Sequence, residues 1–69
     1  PNSMKPAIYD LLARCYFQMK DPANAILYEE MAIALGEKAI AAGEFQGTIN
    51  NNTIMGYKEA LEKYKAALK

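Results

Sequence analysis

Sixty-nine residues make a single small domain with room for a modest core, since a chain near this size buries only about 60% of the surface its unfolded form exposes. The chain is 52% hydrophobic and sets eight acids against eight bases, so its net charge of zero gives no electrostatic attraction to nucleic acid or an anionic membrane. The single Cys15 excludes an internal disulfide, the absence of His argues against a zinc centre, and no apolar run approaches the ~20 residues that span a bilayer.

A lone Cys fits a reducing compartment, which points to the cytoplasm. Pro1 to Lys5 leads into a segment broken by Asp10 and Arg14, which does not read as a secretory leader.

The first predicted helix covers residues 5–19, with Pro6 tolerated in the first turn. Its polar side chains form one narrow line, Asp10, Arg14 and Gln18, at i, i+4 and i+8. Ile8, Tyr9, Leu11, Leu12, Cys15, Tyr16, Phe17 and Met19 make the rest apolar, over more of the circumference than the single stripe of an ordinary surface helix. Two neighbours cannot cover such a belt, so an apolar patch lined by Ile8, Cys15, Phe17 or Met19 is expected to stay open, with Phe17 as its largest anchor.

Lys20-Asp21-Pro22 marks a boundary: Asp21 can accept from the first free N–H groups of a new helix, and Pro22 at the first helical position loses no bond. The connection is short, so the first two helices should run antiparallel. The second predicted helix covers residues 22–42 and stops at Gly43. Tyr28, Met31, Ala32, Leu35, Ala39 and Ala42 trace one apolar stripe, and Ile26, Ile33 and Ile40 trace another. A helix with two stripes lies between two others. Gly36 inside it lowers helix propensity by about 1 kcal/mol relative to Ala and marks either a close crossing or a break.

Residues 43–52 read GEFQGTINNN, an irregular loop and the expected most mobile segment. The third predicted helix covers residues 53–68, with Asn52 or Thr53 as its cap. Its apolar face is Tyr57, Ala60, Leu61, Tyr64, Ala67 and Leu68, and Glu59 to Lys63 is a favourable i, i+4 pair. The class is therefore all-α, three antiparallel helices. Charge alternates along it, with a balance of +2 over residues 1–20, −4 over 21–44 and +2 over 45–69, which suits an acidic middle helix touching both basic ones.

These residues resemble the tetratricopeptide repeat, whose helix pairs place bulky and small residues at fixed offsets. The resemblance runs through Tyr9, Leu12, Ala13, Tyr16, Asp21, Ala25 and Ala32, with Glu29 standing where the family has Phe or Tyr. Tyr57, Ala60, Tyr64 and Ala67 look like a second helix B, and Leu35-Gly36 with Gly43-Glu44-Phe45 like the helix A before it. On this resemblance one long helix serves as the B of the first repeat and the A of the second, and the stretch from Phe45 to Tyr57 is an insertion. The chain is also similar to the three-helix microtubule-interacting-and-trafficking domain, through KAIAAGEF and YKEALEKYKAAL. Both families imply protein or peptide partners and no catalysis or cofactor. The tetratricopeptide carboxylate clamp would need Lys and Asn where Asp10 and Arg14 stand, so the resemblance does not extend to binding acidic chain ends.

No catalytic, metal or cofactor residue emerges. Cys15 has no His to activate it and reads as a small buried hydrophobe. Glu29, Glu30 and Glu37 lack the Glu-x-x-His of di-iron bundles and read as a solvated face. The glycines of the loop match neither phosphate-binding fingerprint, and Asn51-Asn52-Thr53, formally a glycosylation sequon, reads as turn and cap chemistry. Tyr at five positions serves helix packing first and interfaces second. The expectation is a protein-interaction module or adaptor whose partner is met through Ile8, Tyr9, Arg14 and Phe17; the alternative is a structural bundle that self-associates as a homo-oligomer.

Overall fold

A computed structural model describes residues 5–43 and 51–68. They form three helices, α1 (Lys5–Gln18), α2 (Pro22–Ala42) and α3 (Asn51–Leu68), and no strand. α2 packs against both of the others. The all-α, three-helix class therefore holds.

Local chemistry explains the helix ends. After α1 the chain turns through Lys20 at φ 63°, with the Lys20 N–H donating to the Phe17 carbonyl at 3.0 Å and the Asp21 N–H to the Tyr16 carbonyl at 2.9 Å. This paired closure satisfies carbonyls that have no partner further along the helix. Asp21 then caps α2: its Oδ1 accepts from the Asn24 backbone N–H at 3.3 Å and its Oδ2 from Asn24 Nδ2 at 2.8 Å, with Pro22 opening the helix. Gly43 ends α2 at φ 69°, its N–H directed at the Ala39 and Ile40 carbonyls. Gly36 is buried inside α2 and does not break it.

α3 begins at Asn51, two residues before the expected start, so the insertion read from Phe45 to Tyr57 is helical over its second half. The polar run of Asn residues is compatible with a first turn, where N–H groups have no intrahelical partner in any case. Residues 44–50 of the expected loop lie outside the described residues.

Side chains from all three helices fill two small clusters. One holds Ala13 of α1, Ala25 of α2 and Tyr64 of α3, flanked by Tyr16, Phe17, Tyr28 and Ala60. The other holds Ala32, Ile33, Ile54, Tyr57 and Leu61, flanked by Tyr9 and Ile40. Ile26 touches both. Ala13, Ala25 and Ala32 are wholly buried, and such small residues let the helix backbones approach closely enough for the tyrosines to close over them. At the far end Lys58 of α3 reaches Glu37 of α2 at 3.2 Å, an exposed pair that joins the acidic helix to a basic one.

Candidate functional site

Of the polar line on α1, Arg14 and Gln18 are exposed and Asp10 is turned inward. Asp10 is buried, and its Oδ2 holds the Arg14 guanidinium at 2.9 Å, while Arg14 itself stands largely in solvent. Directly across the contact, Glu29 of α2 is completely buried. The reading of Glu29 as part of a solvated face is corrected: Glu29 continues the buried stripe of Ala25, Ala32, Gly36 and Ala39. The signal was present in the register, since Glu29 falls four residues after Ala25 and three before Ala32, the period of one helix face.

Burial, then the neighbouring Asp10 as acceptor and as a charge, push the Glu29 carboxyl up to about 8 against the lowering effect of Arg14. Two tyrosines of α3 face the same pair. Burial raises the Tyr57 phenol above its ordinary range, with Asp10 and then Glu29 adding to it; burial does the same to Tyr64, with Glu29 and then Asp10. Both carboxyls lie inside the contact between α1 and α2, away from solvent. Among the described residues no group of three or more His, Cys, Asp or Glu side chains gathers where it could hold a metal ion. No described helix is long and apolar enough to cross a membrane.

With Asp10 turned in, the other side of α1 turns out, and it is apolar. Ile8, Leu11, Leu12, Cys15 and Met19 are all exposed, Leu11 and Met19 at 59% and 64% of their full surface. Cys15 is thus on the surface, where the expected open patch puts it, and is not the buried hydrophobe its chemistry alone suggests. α2 also carries exposed apolar side chains. Tyr28 stacks on both Tyr9 and Tyr16 of α1, with ring centroids 6.0 and 5.3 Å apart. At about 100° per residue, Leu27 and Met31 lie beside Tyr28 on the side away from Ile26 and Ile33, the residues that pack toward α3. Both are exposed. α3 thus covers the Ile26 and Ile33 side of α2, while Ile8, Leu11, Leu12, Cys15 and Met19 stay bare along one side of α1 and Leu27 and Met31 along one side of α2.

The four expected partner residues separate. Ile8 stands on the open strip, 49% exposed. Tyr9 is half-buried in the tyrosine stack at its floor. Arg14 lies on the other side of α1, in a cleft of about 250 Å3 with Phe17, Gln18, Ala60, Lys63 and Tyr64. Phe17 does not anchor the open patch. It is half-buried, its ring 4.7 Å from that of Tyr64, with the Lys63 ammonium 5.3 Å above it. Lys63 accordingly meets Phe17 where the sequence pairs it with Glu59, and the ion pair on this stretch of α3 is Lys65 with Glu62 at 3.7 Å. Leu11 and Leu27, which carry much of the open face, escaped the sequence reading because nothing in periodicity alone says which side of a nearly all-apolar helix its neighbour takes.

Fold and surface together define an all-α three-helix protein with one face of its first hairpin uncovered. No protein-family model matches the chain, and comparison with curated proteins and with solved structures found no match either.

Proposed function

We propose that this chain is a non-catalytic protein-interaction module of tetratricopeptide-like type, which receives an amphipathic helix of a partner protein on the open face of α1 and α2. The observation that carries this reading is the row of exposed apolar side chains along one side of α1, Ile8, Leu11, Leu12, Cys15 and Met19, together with the exposed Leu27 and Met31 of α2. Contiguous apolar surface on a small domain marks an interaction site more often than chance exposure does. The shape supports a helical partner: α3 already covers the opposite face of the hairpin with one apolar stripe, and the open face offers a second helix the same kind of seat between two helices.

The helix-in-groove mode would place partner side chains at i, i+3, i+4 and i+7 over the Tyr9–Tyr28–Tyr16 stack. Self-association through the same face is the second reading, and the two separate by concentration. Sedimentation equilibrium of the chain and of Leu11→Glu tests both. A parent that stays monomeric at high concentration, and that loses partner capture on Leu11→Glu with helicity kept, supports the module. A parent that associates reversibly, with Leu11→Glu restoring the monomer, supports the homo-oligomer. A Leu11→Glu variant that behaves as the parent in both respects removes the face from consideration.

A further inference from the structure

Asp10 and Glu29 meet across the α1–α2 contact with no donor between them. Both oxygens of Glu29 and Oδ1 of Asp10 are buried and have no hydrogen-bond partner. Ionised carboxylates only accept, so two of them facing one another cannot bond. Leaving such atoms both charged and unpaired away from water is among the most costly arrangements a protein interior can hold.

The surroundings supply little relief. On α1, Arg14 is committed to Oδ2 of Asp10 at 2.9 Å and is otherwise in solvent. α2 carries no cation anywhere from Pro22 to Glu37, and its nearest further acid, Glu30, is exposed. From α3 the facing groups are the phenols of Tyr57 and Tyr64, both buried. One proton resolves the arrangement: placed on Glu29, it turns an orphaned acceptor into a donor aimed at Asp10, and leaves a single negative charge opposite Arg14.

We propose that Asp10 and Glu29 share one proton as a latch between α1 and α2, closed while the proton bridges them and released when it is lost. The raised proton affinity of Glu29, caused first by its burial and then by Asp10, agrees with this arrangement. The direction of the pH effect follows. The folded chain holds the Glu29 proton up to about 8, whereas an open carboxyl releases it near 4.5. The contribution to stability is complete below the open value, drains as pH rises between the two, and is gone above the folded value. The chain has no histidine to impose a competing transition in that window. Release would part the two clusters where they join, because Glu29 sits on α2 between Ala25 of one and Ala32 of the other.

The test reads the Glu29 side-chain carboxyl carbon by NMR in the unsubstituted chain, together with urea unfolding midpoints between about pH 5 and 9, for the parent and for Glu29→Gln. The amide of Glu29→Gln donates to Asp10 at every pH and so imitates the protonated state. The expected result is a Glu29 resonance that moves in the neutral to mildly alkaline range. Alongside it, the parent's midpoint should fall as pH rises and then level, and the Glu29→Gln midpoint should stay constant. A Glu29 resonance that moves only near 4.5, or a Glu29→Gln variant that keeps the parent's slope, overturns the latch. The resonance is read in the unsubstituted chain, so it decides the question even where the variant does not fold.

Discussion

Tyr16 of α1 and Tyr28 of α2 stack with their rings parallel and 5.3 Å between centroids. With Tyr9 on the other flank of Tyr28, this contact sets the rotation of α1 about its own axis. Once Tyr9 and Tyr16 face α2, Ala13 between them falls against Ala25, Asp10 falls against Glu29, and Ile8, Leu11 and Cys15 are carried to the surface. The buried acid and the bare apolar strip are two results of one helix orientation.

Removing the stack should therefore loosen α1 as a whole. Tyr28→Ala is expected to cost about 2–4 kcal/mol in urea unfolding, below the upper values for buried aromatics because Tyr28 is only half-buried. Tyr28→Phe keeps the ring and should cost less than about 1 kcal/mol. Equal losses from the two variants would show that the hydroxyl, not the stacked ring, holds α1.

At position 29 an apolar side chain of similar volume removes the burial penalty altogether. Glu29→Leu is expected to be more stable than the parent at mildly alkaline pH by about 1–4 kcal/mol, the range seen when buried charges are replaced by packed hydrophobes. The advantage should shrink as pH falls toward 4.5, because the unfolded parent's Glu29 then takes up the proton its folded form already holds. Arg14→Gln acts the opposite way: without the guanidinium that lowers it, the Glu29 proton affinity should rise further. An NMR titration that shows Glu29 unmoved or lowered in Arg14→Gln would contradict the charge arrangement described.

Core truncation separates two leucines that periodicity treats alike. Leu61 is buried against Ala32, Ile33 and Tyr57, and Leu61→Ala is expected to cost about 2–5 kcal/mol, enough to unfold so small a protein. Leu35 is only half-buried, so Leu35→Ala should cost clearly less. Thermal melts of the two variants that coincide would place Leu35 in the core after all.

Two glycines should respond with opposite sign to the same substitution. Gly56 lies inside α3 with open space where a Cβ would stand, so Gly56→Ala is expected to stabilise by about 1 kcal/mol through helix propensity. Gly43 also has open space around it but sits at φ 69°, a left-handed conformation, and Gly43→Ala should destabilise by about 1–2 kcal/mol. Denaturant melts of both variants check the pair; a stabilising Gly43→Ala would mean that the α2 cap is not kept in solution.

The number of helices, their order and most of their ends were legible in the amino-acid sequence. Asp21-Pro22 and Gly43 are local devices whose effect depends on backbone geometry a few residues away, and they stand where the reading put them. The start of α3 was missed by two residues because three Asn in a row favour turns as strongly as first helical turns. Which face of α1 points inward was a different kind of question. Its apolar residues surround most of the helix, so hydrophobic period could not choose, and of the narrow polar line Arg14 and Gln18 stay exposed while Asp10 is buried. The packing of the helices settles it, because the choice rests on a fit between them: small Ala13 against small Ala25, and Tyr9 and Tyr16 around Tyr28. That fit buries Asp10 beside Glu29 and leaves Ile8, Leu11 and Met19 bare, against the preference of each residue taken alone.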